Sequence, residues 1–222
     1  MPKDPSIKGH IVFDCDGTLI SSQEAIFKAI QVLMSETLER PVDRAEVLEK
    51  YTADMAQLAA RFGLDVENEE VRNHLIKRWT ELSNQNEFRY ALFEGIEELI
   101  LKLSEMGYRL YVWTARDRMS TLAILKSLNV AKHFYEFRCF DDTTPKPHPM
   151  GLEEMVGEFD RSKTLMIGDS TTDIQGAKSF GCVSVGALWC SFANEAYMDE
   201  LNVDYKARTP DEIIKIVEQV YS

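Results

Sequence analysis

Short apolar runs alternate with longer helical patterns over most of this chain, and that alternation constrains its fold more than any other feature. The runs cover residues 10–13, 109–113, 137–140, 164–167 and 183–185. Each is followed at once by a polar residue or a glycine. Strands separated by helices form βαβ units, whose right-handed crossovers bring the carboxyl ends of the strands to one edge of a parallel sheet. We therefore predict an α/β fold whose ligands bind at that edge.

Residues 20–89 interrupt this alternation, because they hold no strand pattern and have helical periodicity throughout. The patterns predict four helices, at 22–39, from Asp43 onward, at 52–62 and at 69–83. We predict an α/β core made of residues 1–19 and 90–222, with a four-helix domain of residues 20–89 inserted into it. The flexible joins are expected near residues 19–22 and 88–93.

Helix stop and start signals support the α/β assignment of the remaining chain. Gly107 follows a helical pattern over residues 94–106 and is expected to end that helix, since glycine favours the backbone conformation found past a helix end. Thr209 and Pro210 are expected to open a last helix that runs to Val220.

The charge balance argues against two classes of partner. The chain has 222 residues, with 25 Lys and Arg against 37 Asp and Glu, which gives a formal net charge of −12. Nucleic acids and anionic membranes are bound through a positive field, so we expect neither as a partner. The sequence leaves a monomer and a homodimer open.

Cysteine usage and the first residues indicate a cytoplasmic protein. Cys15, Cys139, Cys182 and Cys190 include no Cys-x-x-Cys pair, so neither a zinc site nor a redox motif is expected. The residues before Ile11 lack the apolar stretch of a secretory signal, and no uncharged stretch is long enough for a membrane span. We expect the thiols to be reduced.

The densest chemical signal follows the first strand, as Asp14-Cys15-Asp16-Gly17-Thr18. Two carboxylates two residues apart can turn toward one site once the chain leaves the strand, and Gly17 permits the sharp turn. Such a pair suits Mg²⁺, which prefers oxygen ligands. One carboxylate can also act as a nucleophile that forms an acyl phosphate. A turn rich in Asp and Gly, which is common after strands, is the alternative.

A second acidic cluster follows the fourth strand, as Gly168-Asp169-Ser170-Thr171-Thr172-Asp173. Asp173 lies about one helical turn beyond Asp169 if a helix begins there, and both Asp and Ser can also serve only as helix caps. Two acidic clusters at one sheet edge repel each other unless a cation joins them. We therefore predict a divalent metal site at this edge.

Two further motifs add groups that bind anions. Thr114, Ala115 and Arg116 follow the second strand, where a hydroxyl and backbone N–H groups can hold a phosphate, with a plain helix cap as the alternative. Lys146 lies between alternating prolines that restrain its loop, although loop lysines are usually solvated. Taken together, the four motifs supply what phosphoryl transfer needs.

These motifs resemble those of the haloacid dehalogenase superfamily of hydrolases. Residues 14–18 are similar to its first motif, Asp-x-Asp-Gly-Thr, and Thr114 is similar to the Ser or Thr of its second. Lys146 matches the lysine of the third motif, and residues 168–173 resemble the fourth. The resemblance covers nearly the whole chain. It implies a Rossmann-like core with a four-helix cap, most similar to phosphoglycolate phosphatase-like members.

The resemblance also implies roles for the acidic residues. Asp14 is expected to attack phosphorus and to carry an aspartyl-phosphate. Asp16 is expected to act as the general acid for the leaving alcohol and then as the general base for water. The implied cofactor is Mg²⁺, held by the Asp14 carboxylate, the backbone carbonyl of Asp16, and Asp169.

The remaining roles concern the phosphate. The resemblance implies that Thr114 and the Ala115 amide hold phosphoryl oxygens and that Lys146 neutralises charge on Asp14 and the phosphate. Asp173 is expected to orient Lys146 or a metal-bound water. The expected activity is Mg²⁺-dependent hydrolysis of a small phosphorylated metabolite.

Asp16 favours a phosphatase over a dehalogenase, because a halide leaves without a proton whereas an alkoxide needs one. A sugar-phosphate mutase, a phosphonate or haloacid hydrolase, and a phosphate-binding module without turnover stay open. Cys15 is expected to be a small buried side chain, and Arg116 to contact either substrate or solvent. We expect His148 to have no catalytic role and Trp189 to serve in packing.

Overall fold

The computed structural model describes residues 7–52, 55–83, 85, 90–191 and 193–221. The chain divides into two compact units. One is formed by Met1–Ile20 together with Leu92–Ser222, and the other by Ser21–Ala91. The predicted join at residues 88–93 lies partly outside the described residues.

The first unit is built on a parallel sheet, as predicted. Its described strands are β1 (Gly9–Phe13), β4 (Tyr108–Trp113), β5 (Phe134–Arg138), β6 (Thr164–Gly168), β7 (Val183–Ala187) and β8 (Tyr205–Ala207). They lie in the order β5-β4-β1-β6-β7-β8, and all neighbours are parallel. Two shorter strands, β2 (Ile20–Ser21) and β3 (Ala91–Leu92), pair with each other.

The central strands explain why the functional motifs meet. Ile11, Val12 and Phe13 of β1 are fully buried, as expected for a parallel strand covered on both faces. The register pairs Phe13 with Val112 of β4 and with Ile167 of β6. The three strands therefore end at about the same level, and the residues that follow them share one edge.

Four strands differ from the prediction. Strands β2 and β3 were not predicted, and β2 begins at Ile20, inside the stretch expected to hold no strand, because a strand of two residues shows no alternating pattern. The strand expected at residues 137–140 is β5, which begins at Phe134, because Phe134 and Phe137 supply its buried side chains. It ends at Arg138, since Cys139 enters a turn in which its N–H donates to Asp142 Oδ1 at 2.7 Å. Strand β8 was not predicted, because three residues at a sheet edge are too few to show a pattern.

The described α-helices of this unit alternate with its strands along the chain. They are α5 (Ile96–Glu105), α6 (Arg118–Ser127), α7 (Met150–Val156), α8 (Thr171–Phe180), α9 (Glu195–Glu200) and α10 (Glu212–Val220). Helix α5 packs on β4, and α8 packs on β6 and β7. Gly107 follows α5 with a φ of 88°, which confirms it as the predicted stop. Helix α10 begins at Glu212 rather than at Pro210, which lies in the preceding turn.

The second unit contains the four predicted helices, α1 (Ser22–Thr37), α2 (Arg44–Lys50), α3 (Met55–Arg61) and α4 (Glu69–Ser83). Ser21 caps α1, and the side chain of Asp43 caps α2 by accepting from the N–H of Glu46 at 2.8 Å. The helices enclose an apolar cluster of their own, with Leu33, Met34 and Leu58 among its buried members.

The four cysteines are buried, and none of them forms a disulfide. No helix in the described part of the chain is both long enough and apolar enough to cross a membrane.

Candidate active site

Asp14 opens the turn after β1, and the sheet fixes its position. Its N–H donates to the carbonyl oxygen of Ile167 at 2.8 Å, so the hydrogen-bond ladder continues one residue past the strand. Its side chain is only 10% exposed. Burial raises the pKa of Asp14 to about 8, although the neighbouring Lys146 opposes this shift.

Gly17 allows the turn to pack against the second acidic cluster. Its φ is 82°, a backbone conformation that favours glycine. A Cβ atom at this position would overlap the carboxylate of Asp169. Thr18, the next residue, donates from Oγ1 to Asp169 Oδ1 at 3.3 Å. The first and fourth motifs are therefore in direct contact, and only a glycine fits between them.

Lys146 links the two acidic clusters. Its Nζ donates to Asp14 Oδ1 and to Asp173 Oδ1, at 2.6 Å in both cases. The lysine side chain is 4% exposed, and its Nζ lies 5.1 Å from the ring centroid of Trp113. Burial alone would lower the pKa of Lys146, but the two carboxylates outweigh burial and raise it. This loop lysine is therefore buried and charged rather than solvated.

Asp173 both contacts Lys146 and caps helix α8, two roles that the sequence offered as alternatives. Its Oδ1 accepts from Lys146. Its Oδ2 accepts from the backbone N–H of Ser170 at 3.1 Å and from the Ser170 hydroxyl at 2.7 Å, which makes it part of the capping box of α8. Because the cap fixes the carboxylate, the same side chain can hold Lys146 in place.

Asp14, Asp169 and Asp173 form a candidate metal site. Each offers one carboxylate oxygen, and the three oxygens lie within 4.8 Å of one another. Burial raises the pKa of Asp169 to about 6, and the nearby Asp173 adds to the shift. When all three carboxyl groups are ionised, Lys146 offsets one of their three negative charges, and a divalent cation would offset the other two. The all-oxygen donor set fits Mg²⁺.

Asp16 has a different partner from Asp14. Its Oδ2 accepts from Arg116 Nε at 2.9 Å, and its Oδ1 accepts from Arg116 Nη2 at 2.6 Å. This is a two-pronged arginine–carboxylate pair, the geometry in which such pairs are strongest. In this structure Arg116 is therefore partly buried and paired with a carboxylate, whereas the sequence allowed contact with either substrate or solvent.

The turn after β4 fixes the position of Thr114, which is almost fully buried. The N–H of Thr114 donates to the carbonyl oxygen of Arg138 at 2.9 Å, and its Oγ1 accepts from the N–H of Arg116 at 3.1 Å. Thr114 is not the cap of helix α6. That cap is Asp117, which accepts from the N–H of Ser120 at 2.9 Å.

These motifs line one cleft of about 710 Å³ in the α/β unit. Asp173 lies behind its wall, fully buried. The lining residues are Asp14, Asp16, Thr114, Ala115, Arg116, Asp117, Phe140, Lys146, Asp169, Ser170 and Thr172. Sequence reasoning did not assign Phe140 to the site, because it was placed inside a strand. Phe140 lies two residues past the end of β5. Had the strand been predicted to end at Arg138, Phe140 would have been expected at the same edge of the sheet as the motifs.

The remaining residues singled out by the sequence take no part in the cleft lining. Cys15 is fully buried, as expected. His148 is exposed, and its Nδ1 accepts from the N–H of Met150 at 3.3 Å. The Nε1 of Trp189 donates to the carbonyl oxygen of Thr18 at 3.0 Å, which ties the loop after β7 to the turn after β1.

Comparison with known proteins identifies the family. Residues 11–187, well over half of the chain, match the profile of the haloacid dehalogenase-like hydrolases. The chain belongs to this family. It is 28% identical to the phosphoglycolate phosphatase of Neisseria gonorrhoeae, over 95% of this chain and 91% of that protein. It is 25% identical to the pyrophosphatase PpaX of Halalkalibacterium halodurans, over 93% of this chain and 95% of that protein.

Solved structures agree with the family assignment at the level of the fold. The crystal structure of a predicted phosphoglycolate phosphatase from Haemophilus somnus matches with a TM-score of 0.62. The two sequences are 22% identical, and the match covers 96% of this chain and 99% of that one. The prediction of a haloacid dehalogenase-superfamily hydrolase similar to the phosphoglycolate phosphatases is confirmed.

Proposed function

We propose that this hydrolase is a Mg²⁺-dependent phosphatase that acts on a small phosphorylated metabolite through an aspartyl-phosphate on Asp14. The observation that carries the proposal is the buried contact of Lys146 with both Asp14 and Asp173, beside the Asp169 carboxylate. Buried charges weaken a fold unless they are fully compensated, and such clusters concentrate at catalytic sites.

The proposed ligands of Mg²⁺ are the carboxylates of Asp14 and Asp169 and the backbone carbonyl of Asp16. When bound there, the cation supplies positive charge to the phosphoryl oxygens and favours the ionised form of Asp14. This matters because the pKa of Asp14 is about 8 without a cation, and a nucleophilic carboxylate has to be ionised. The Thr114 hydroxyl and the Ala115 amide hold the phosphoryl oxygens in this proposal.

In the proposed reaction a carboxylate oxygen of Asp14 attacks phosphorus, and the bond from phosphorus to the leaving oxygen breaks. Asp16 donates a proton to that oxygen, and the alcohol departs. Asp16 then takes a proton from water, which attacks the same phosphorus and releases inorganic phosphate, leaving Asp14 as it began. Lys146 offsets the negative charge that develops during both steps, and Asp173 holds Lys146 in position.

The substrate class is supported by the relatives and by Asp16. The relatives named above are a phosphoglycolate phosphatase and a pyrophosphatase, which act on a small phosphate ester and a small phosphate anhydride. Asp16 lines the cleft with Asp14, where it can reach a leaving oxygen. A proton donor serves an oxygen leaving group and is not needed for a halide, so the haloacid alternative is disfavoured.

The domain assignment, location and oligomeric state belong to the same proposal. We assign residues 1–19 and 90–222 to the catalytic core and residues 20–89 to a cap, which the division of the chain at Ile20 and Ala91 supports. The four cysteines, none of which forms a disulfide, support a reducing, cytoplasmic location. We expect a monomer or a homodimer that binds neither nucleic acid nor membrane, in keeping with the net charge of −12.

The test is hydrolysis of an aryl phosphate, with Mg²⁺ and then with excess chelator. We expect phosphate release that requires the cation and is restored when Mg²⁺ is returned. The Asp14→Asn variant should lose turnover by at least about a thousandfold, because no nucleophile remains. The melting temperature of this variant should be close to that of the wild type, since Lys146 keeps its contact with Asp173.

The outcomes separate the proposal from its rivals. Wild-type activity in Asp14→Asn would show that the nucleophile is assigned to the wrong residue. Phosphate moved between positions of a sugar phosphate, without release, would identify a mutase. Metal-dependent binding of phosphate without turnover, on esters of aryl and alkyl alcohols alike, would identify a binding module.

A further inference from the structure

Arg116 is the cleft residue whose role the proposed mechanism leaves unassigned. It lies two residues past Thr114, and its guanidinium grips both oxygens of Asp16 at 2.6 and 2.9 Å. A planar guanidinium with two parallel N–H donors is the group that proteins use to recognise carboxylates and phosphates. The contact with Asp16 demonstrates that this arginine presents that fork to an anion inside the cleft.

The arginine is the better fixed partner of the pair. Its side chain is 20% exposed, against 46% for Asp16. Two backbone contacts hold its residue in place: its N–H donates to Thr114 Oγ1, and its carbonyl oxygen accepts from the N–H of Phe140, both at 3.1 Å. Displacement of Asp16 would therefore leave the guanidinium attached to a backbone that stays fixed beside the cleft.

The pair also sets a condition on catalysis. Both oxygens of Asp16 already accept hydrogen bonds from Arg116. If Asp16 is to donate a proton to a leaving oxygen, one of its oxygens has to carry that proton and give up its arginine donor. An anionic group of the substrate that took over the guanidinium would release Asp16 at the moment when the acid is needed.

We infer that Arg116 recognises a second anionic group on the substrate and exchanges Asp16 for it. The inference rests on the proposed phosphatase function. It narrows the substrate class to phosphate esters or anhydrides that carry a carboxylate or a further phosphate close to the scissile bond, because Asp14, Asp16 and Arg116 line the same cleft. Arg116 is in this sense a specificity-determining residue, which also controls the position of Asp16.

The kinetic test compares two alkyl phosphates that differ in one group. Phosphoglycolate carries a carboxylate, and 2-hydroxyethyl phosphate carries an uncharged hydroxymethyl group in its place. For Arg116→Met we expect kcat/KM for phosphoglycolate to fall by at least about tenfold relative to kcat/KM for the hydroxyl analogue, since a charge-assisted pair is lost. Arg116→Lys should recover only part of this ratio, because lysine keeps the charge but lacks the fork.

A matched control removes one positive charge from the same unit outside the cleft. Lys178 is exposed on helix α8 and does not line the cleft, so Lys178→Met should leave the ratio of the two substrates unchanged. Equal losses on both substrates in Arg116→Met would overturn the inference and assign the arginine to a purely structural role. A wild-type protein without preference for the carboxylate would overturn it too.

A binding measurement separates this inference from the proposed function. Phosphonoacetate and ethylphosphonate cannot be hydrolysed as esters, and they differ in the second anion. With Mg²⁺ present, calorimetric titration should show tighter binding of phosphonoacetate to the wild type and loss of that difference in Arg116→Met. If the protein hydrolyses none of the esters but still shows this difference in affinity, the proposed function is contradicted and the anion site at Arg116 is supported. Equal binding of both phosphonates by the wild type would remove the anion site.

Discussion

The two units of the chain differ in one respect: both carry exposed ion pairs, but the α/β unit also holds a buried cluster of charges. In the helical unit, each described ion pair has at least one partner that is more than a quarter exposed, as in Arg78 with Glu36 at 27% and 43%. In the α/β unit, Lys146, Asp14 and Asp173 are 4%, 10% and 0% exposed. Exposed pairs add little to stability, whereas buried charges need every partner they have.

The difference separates side chains that serve the fold from those that serve chemistry. The helical unit is held by its own apolar cluster, and its charges lie at the surface of amphipathic helices. The α/β unit places ionisable groups where an apolar core would be more stable. Matched substitutions in the two units should therefore behave differently, and the first two predictions test this. The other two test the roles assigned to residues of the α/β unit.

The largest difference is expected between two lysines. Lys146→Met leaves Asp14 and Asp173 without their shared cation, so we expect a loss of activity together with about 3 kcal/mol or more of unfolding free energy. Lys50→Met removes a partner of Glu46 in helix α2 whose side chain is 28% exposed and whose Nζ lies 4.8 Å from the ring centroid of Phe62. It should cost only about 1 kcal/mol or less and leave the activity unchanged. Denaturant unfolding and aryl phosphate hydrolysis measure both. Equal destabilisation by the two substitutions would contradict the contrast between the units.

Two glycines with the same backbone conformation, one in each unit, provide the second comparison. Gly17 and Gly63 have φ angles of 82° and 83°, so alanine at either should cost about 1–2 kcal/mol of stability. Alanine at Gly63 meets no atom within 4 Å, whereas at Gly17 it would collide with the Asp169 carboxylate. We expect Gly17→Ala alone to weaken the apparent affinity for Mg²⁺, by about tenfold or more, in activity titrations. An unchanged affinity in Gly17→Ala would show that Asp169 does not hold the cation.

The third prediction concerns pH in the absence of metal. The pKa of Asp14 rises from 3.8 to about 8 on folding, because burial disfavours its charged form. The folded protein thus binds this proton more tightly than the unfolded chain does. The resulting stabilisation is complete below pH 3.8 and is lost as the pH rises through about 8.

With a chelator present, the melting temperature of the wild type should therefore fall across this window, and that of Asp14→Asn should fall less. Added Mg²⁺ should raise the melting temperature most at the alkaline end, since binding requires ionised carboxylates. Thermal melts of both proteins at several pH values measure this. If Mg²⁺ raised the melting temperature equally at the acidic and the alkaline end of the pH range, the assignment of Asp14 as a ligand would be contradicted.

The smallest effect is expected at His148, which lies two residues from Lys146 but is exposed and outside the cleft lining. His148→Gln should leave the pH dependence of kcat/KM unchanged, because Asp16 already accounts for proton transfer in the proposed reaction. The pH–rate profiles of the two proteins are the measurement. If the pH–rate profile of the variant lacked its acidic or its alkaline limb, His148 would have to take part in catalysis.

Local patterns were sufficient to predict most of the fold. The buried run Ile11–Phe13, the stop at Gly107 and the cap at Asp43 depend on neighbours in the sequence, and each is found where the sequence indicated. Strand β8 escaped detection because its pairing with β7, rather than its three residues, makes it a strand. Phe140 was misassigned because an aromatic residue beside a strand has the composition of a strand.

The sequence by itself determined which chemical groups reach the edge of the sheet, because each motif directly follows a strand and parallel strands end together. Only the tertiary structure decided how those groups pair. Lys146 meets Asp14 across 132 positions of chain, and Arg116 meets Asp16 across 100. The strand order β5-β4-β1-β6 brings these residues together, because Lys146 follows β5, Arg116 follows β4 and Asp14 follows β1. No local pattern encodes which carboxylate takes the lysine and which takes the arginine.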